Sequence, residues 1–216
     1  MKKLLMVLFA AVLPASLAAQ QQDGSGSRFT FAGFASQEIV HREEGVANDR
    51  FSGMVLGGSA NLSIGRLVAR ARYAQGRVSS KAGGIDPRDV VEGELLVGYR
   101  VMPWLTLWAG PSARAYTTED SEQRWFIWSG RAAGRGTIIP GKMQSFVELW
   151  GALSGNLSNP AMKAGGRGLD AGLEMRLSQT SPFWGRLSYR MESTHAVDLR
   201  ETVEAVSLSV IYGLPQ

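Results

Sequence analysis

The stretch GLDAGLEMRLS, residues 168–178, alternates in character from one residue to the next. Asp170, Glu174 and Arg176 fall on one parity; Leu169, Ala171, Leu173, Met175 and Leu177 fall on the other. Successive side chains of a β-strand point to opposite faces, so this segment reads as a strand with one charged and one apolar face. The fold depends on which face turns inward. In a soluble sheet the leucines make the core. In a membrane barrel they meet lipid and the charges line the interior.

Working outward, similar runs occupy residues 28–40, 51–63, 66–78, 90–101, 105–117, 124–138, 145–155, 184–193 and 202–212. Together they predict about ten strands, with eight or twelve also compatible with the pattern. Each is about ten to fifteen residues long, whereas strands of soluble domains average about five or six and a tilted membrane-crossing strand needs about 9–11. Short links at 63–66, 102–104, 139–142 and 180–183 take turns with longer polar ones at 41–50, 79–89, 118–123, 156–167 and 194–201. This rhythm predicts an all-β fold, a closed up-and-down antiparallel transmembrane β-barrel. Its tight turns and both termini would lie on the periplasmic side.

The charges keep phase with that expectation. Arg70 and Arg72 oppose Leu67, Ala69 and Tyr73, while Glu92, Glu94 and Arg100 oppose Val91, Leu95 and Val97. Arg114, the pair Arg131 and Arg135, Glu148, and the trio Arg186, Arg190 and Glu192 hold one parity within their strands. With Asp170, Glu174 and Arg176 they form the expected lumen charge network. Arginine forks pair well with carboxylates and an unpaired buried ion is costly, so a cross-strand lattice follows. A narrow barrel filled by arginines would be largely plugged, with any residual slow passage of small solutes favouring anions. Arg124 and Glu204 break the phase and are expected near the outer end. Two aromatic belts are expected as well: Trp104, Phe183, Trp184 and Tyr212 at the short turns, and Trp125, Phe126 and Trp128 opposite.

The first residues, MKKLLMVLFAAVLPASLAAQ, place Lys2 and Lys3 before the apolar run Leu4–Leu13 and a small-residue cleavage site at Ser16–Leu17–Ala18. This predicts a signal peptide over residues 1–19 and one barrel domain over 20–216. The absence of cysteine excludes a lipoprotein anchor, disulfides and thiolate chemistry. The formal charge of +4 loses Lys2 and Lys3 with the leader, and so small an excess gives no case for nucleic-acid binding. No cofactor or metal is expected. GRGLDA, residues 166–171, matches a dinucleotide-binding spacing, but it runs from a loop into a strand rather than from a strand into a helix.

Signal peptide, long alternating strands and repeats such as GYRVMPWLTLWAG (98–110) resemble the bacterial outer-membrane β-barrel proteins over nearly the whole mature chain. The size lies between the eight-stranded OmpA/OmpX-like barrels and the ten-stranded omptins. The resemblance implies an outer-membrane location, contact with outer-membrane lipid and lipopolysaccharide, handling by the barrel-assembly machinery, and a monomer. Members usually end on an aromatic residue that this machinery reads; here Tyr212 is followed by GLPQ.

Two other functions compete with a structural or surface-interaction role. An outer-membrane hydrolase or acyltransferase would need a catalytic group at the outer rim, where His41, His195 and Asp198 are expected. Omptins carry paired aspartates and an Asp–His pair there, and lipid A deacylases a His and a Ser; STHAVD (193–198) reproduces neither. A soluble, lipocalin-like ligand-binding barrel would explain the alternation but not the strand lengths, and no Gly-x-Trp stands near the start. Arg42, Arg50, Lys81, Arg88, Lys163 and Arg167 are the cations available to lipopolysaccharide phosphates or another surface partner.

Overall fold

A computed structural model describes residues 27–80, 86–119, 121–158 and 161–213. The leader and Lys81 lie outside these described residues. The strands are β1 (Arg28–Glu44), β2 (Ala47–Ile64), β3 (Leu67–Ser80), β4 (Arg88–Met102), β5 (Leu105–Thr117) and β6 (Glu122–Ile139). They continue with β7 (Met143–Ser158), β8 (Met162–Lys163), β9 (Gly165–Arg176), β10 (Phe183–Ala196) and β11 (Leu199–Tyr212). β8 and β9 both pair with β7 and are separated only by Ala164, whose N–H donates to the Gly155 carbonyl at 2.9 Å. They are two parts of one barrel strand. Every neighbouring pair is antiparallel, and β11 pairs with β1, closing a barrel of ten strands without a free edge.

The opening stretch lies as a membrane barrel requires. Glu174 is fully buried inside, while Leu173 and Leu177 are 44% and 53% exposed on the outer surface. The same polarity runs around the barrel, with Leu67, Leu95, Val97, Leu149, Leu187 and Leu208 all exposed outward. Pro111, also on the outer face, sits where the β4–β5 register skips a pair, so its missing N–H costs no ladder bond.

Strands run further than the sequence suggests. Residues 41–50 and 194–201, expected as long links, are mostly strand, joined by the two-residue turns Gly45–Val46 and Val197–Asp198. Gly45 takes the left-handed φ of 57° that this turn needs, as Gly65 does at the other end with 59°. Residues 156–167 likewise contain the end of β7, all of β8 and the start of β9.

The physical reason is a change of solvent along each strand. Near the turns at Gly45 and Asp198 the outer face carries Glu43, Arg50, His195 and Arg200, while Val40, Phe51, Leu199 and Val203 are buried inside. This end therefore has the polarity of a soluble barrel. The remaining length, toward the termini, has the inverse one.

Interior aromatic rings lie flat on glycines of the neighbouring strand. A Cβ on Gly98 would stand 2.6 Å from the Trp108 ring, and one on Gly168 would run into Nε1 of the Trp150 indole. Only a glycine leaves room for these rings against the wall, which keeps the axis free for longer charged side chains.

Candidate functional site

The charged residues meet across the lumen in three clusters. In the first, Glu92 accepts from Arg114 Nε at 2.7 Å, from Arg72 Nη1 at 3.0 Å and from Arg190 Nη1 at 3.2 Å. Arg190 Nη2 also donates to Glu38 at 2.6 Å, and Arg114 Nη2 donates to Glu192 at 2.7 Å. These bonds tie β10 to β1 and β4, and β5 to β10, across the barrel. In the second, Glu148 lies between Arg70 Nη1 at 2.8 Å and Arg131 Nη1 at 3.1 Å, and Arg131 reaches Glu94 at 2.6 Å.

The third cluster is looser. Glu174 accepts from Gln144 Nε2 at 2.6 Å, but Arg135 and Arg186 stand 3.6 and 3.7 Å from it, and Arg186 stands 3.8 Å from Asp170. The arginine planes also rest on aromatic faces: Arg70 over Trp108 at 4.5 Å, Arg72 over Phe34 at 4.7 Å and Arg186 over Phe146 at 3.6 Å. Arg100 lines the interior cavity. Arg176 donates instead to the Ser181 carbonyl at 3.4 Å, because it sits at the mouth where the β9–β10 connection folds over it.

Toward the Gly45 and Asp198 turns the interior carries an apolar disc. Val40, Phe51, Val78, Val90, Tyr116, Trp125, Leu157 and Val203 form one buried cluster, completed by Ala196 and Leu199, with Met162 and Ala164 packed against it. Every strand of the barrel contributes to it. Tyr116 also donates its hydroxyl to Glu201 at 2.8 Å, joining the disc to the charges below. A cavity of about 130 Å³ remains among Arg70, Arg100, Arg135, Glu174 and Arg186, and it extends to Thr30 and Ile211 near the termini. It is small beside the roughly 300–1,000 Å³ of typical ligand sites.

Glu38 and Glu201, each 1% exposed, are members that sequence reasoning missed. Glu38 is the lone charge in the middle of its strand, and only its shared parity with Thr30 and Ser36 marks it as inward. Glu201 fell within an expected outer link. Among the aromatics, Trp104, Phe183 and Tyr212 are exposed outward near the short turns, and Phe126 and Trp128 near the other end. Trp125 and Trp184 are not belt residues. Their parity turns them inward, where they are 2% and 5% exposed, Trp125 as part of the apolar disc.

The rim candidates do not assemble. His41 and His195 lie on the outward parity of β1 and β10, with β11 between them, and Asp198 occupies the turn. Among the described residues no group of metal-ligating side chains could hold an ion.

The fold is that of the bacterial outer-membrane β-barrels. The outer-membrane protease OmpT of Escherichia coli matches with a TM-score of 0.56 and 9% identity, over 90% of this chain and 99% of that one. The translocator domain of the autotransporter NalP from Neisseria meningitidis matches at 0.47 and 12%, over 90% of each chain. Ail, the attachment invasion locus protein of Yersinia pestis, matches at 0.37 and 13%, over 88% of this chain and all of that one. No protein-family model matches the sequence, and no curated protein matches it significantly.

Proposed function

We propose that this chain is an integral outer-membrane barrel with an occluded lumen, exported by its leader and acting through its surfaces rather than as a conduit. The apolar disc carries this reading. A layer to which all strands contribute, above two cross-lumen ion clusters, leaves no wide aqueous path. The outward leucines and valines, with exposed aromatics near both limits, supply the lipid-facing band that such a protein needs. The remaining expectations, a monomer assembled by the barrel machinery and in contact with lipopolysaccharide, belong to the same reading.

The protease role named for OmpT finds no support in this chain, whose rim histidines point away from the lumen. A lipocalin-like carrier would need a sizeable apolar ligand cavity; among the described residues the cavity beside Arg70 and Glu174 is small, and arginines and carboxylates share its lining with Trp108 and Trp150.

Two measurements test the reading. The protein should fractionate with the outer membrane and migrate on a gel faster unheated than boiled. Reconstituted in planar bilayers, it should show no discrete conductance steps. Porin-like steps would overturn the occluded lumen, and recovery in the soluble periplasmic fraction would overturn the membrane placement.

A further inference from the structure

The two ends of the barrel differ in charge. At the Gly45 and Asp198 turns acids and cations mix, with Glu43, Glu44, Asp49 and Asp198 among Arg42, Arg50 and Arg200. Within five residues of the four short turns at the other end, the chain carries seven cations and a single acid, Glu174. Arg28, at the start of β1, joins them. These cations surround the lumen rather than face lipid. Arg28 pairs with the buried Ser63, Arg100 with Thr106 of the cavity lining, and Arg176 with the buried Trp184, so all three share the inward parity. Arg66 and Lys142 occupy turns at the mouth. Backbone pairing sets like charges side by side: Arg100 N–H donates to the Arg66 carbonyl at 2.8 Å, and Arg176 N–H to the Lys142 carbonyl at 2.8 Å. Like charges on neighbouring strands are destabilising unless something compensates them.

Behind this ring lies the cavity of about 130 Å³, which reaches the mouth at Thr30 and Ile211. Its lining holds seven arginines against five carboxylates. The deeper arginines are engaged in the tight clusters around Glu92 and Glu148. Nearer the mouth, Arg135 and Arg186 stand 3.6 and 3.7 Å from Glu174, beyond hydrogen-bond reach. Arg135 Nη1 and Arg186 Nε are buried and have no hydrogen-bond partner among the described residues.

We propose that this mouth and cavity bind a small free oxyanion of the phosphate class. The outer-membrane reading above enters only in placing the mouth in the periplasm. Positive charge in a cleft with low-dielectric walls attracts anions more strongly than the same charge on an open surface. An excess of buried cations is costly without a counter-ion. Guanidinium forks match the spaced oxygens of phosphate, so Arg135 and Arg186 hold the ion while the ring draws it in. At roughly 10–15 Å³ per water, the cavity has space for about ten water molecules. That admits phosphate with part of its hydration shell, whereas typical sites for larger ligands need roughly 300–1,000 Å³. A lipid phosphate fits poorly, because its acyl chains would have to lie on the opposite face of the barrel wall.

The test is calorimetric titration of the folded protein with inorganic phosphate, in non-ionic detergent at low ionic strength. Binding should saturate and be displaced by sulfate, far less by chloride. R135Q/R186Q should weaken it about tenfold or more. R77Q/R124Q, made among the exposed ion pairs at the opposite end, should bind like the parent chain. No saturable binding by the parent chain, undiminished affinity in R135Q/R186Q, or an equal loss in R77Q/R124Q would each overturn the site. Displacement by chloride as readily as by sulfate would overturn the preference for oxyanions. Displacement by phosphatidylglycerol added to the micelles would overturn the free anion in favour of a lipid headgroup. Should R135Q/R186Q not fold, the exposed pair R66Q/K142Q decides: a several-fold loss supports the site and unchanged affinity overturns it. Heat-modifiable migration of the parent chain is scored separately. Its absence would fault the barrel reading, whereas a folded barrel that takes up no phosphate faults the site alone.

Discussion

Glu92 is a hub of the interior lattice. It is 4% exposed and accepts from three arginines on three strands. A buried lattice of this kind does not by itself guarantee stability, because desolvation offsets much of the attraction. Removing one member is another matter, since its partners are then left as uncompensated ions. Glu92→Gln should therefore destabilise the folded barrel by about 3–5 kcal/mol in denaturant titration. Glu122→Gln, which breaks the exposed pair with Arg124, should cost less than about 1 kcal/mol. Equal effects would show that the lattice is not as buried as described. At this scale much of the site was legible. Arg70, Arg114 and Glu148 announce their side by parity against uncharged neighbours. Glu38 is the one charge in the middle of β1, and nothing in a single strand says with which strand it pairs. Trp125 and Trp184 were misread because a tryptophan near a strand end fits either a lipid interface or a core, and only register tells the two apart.

Within a strand, depth decides what a substitution costs. Leu208 lies in the middle of β11 and is 65% exposed on the outer face, whereas Thr202 on the same face belongs to the polar rim. In lipid vesicles Leu208→Arg should cost about 2–4 kcal/mol and Thr202→Arg about 0–1 kcal/mol. Similar costs at both positions would place the boundary of the apolar band elsewhere. The strands themselves could be read from alternation wherever the outer face meets a single solvent. Their far ends could not. In residues 41–50 both parities are largely polar, with Arg42, Glu44 and Asp49 on the inner one and His41, Glu43 and Arg50 on the outer one, so the run looks like a polar loop. The hairpin at Gly45–Val46 is also too short to give a turn signal beyond one glycine.

The molecule as a whole is a barrel with two polarities, apolar outside and ionic inside over most of its length, polar outside and apolar inside at one end. Closure, strand number and the inward direction of the charges were all accessible from sequence, because each follows from strand length and phase. The apolar disc was not. It is assembled from one or two residues of each strand, at a level fixed by the stagger between strands, which no one segment records. The inversion of faces along the lower barrel remains the central claim, and adjacent residues test it most directly. The chain has no cysteine, so Ser207→Cys and Leu208→Cys each introduce a single site for a spin label. In lipid vesicles, the label at position 208 should collide with oxygen dissolved in the bilayer, and the label at 207 should be shielded from it. Oxygen reaching 207 while 208 is protected would contradict the account.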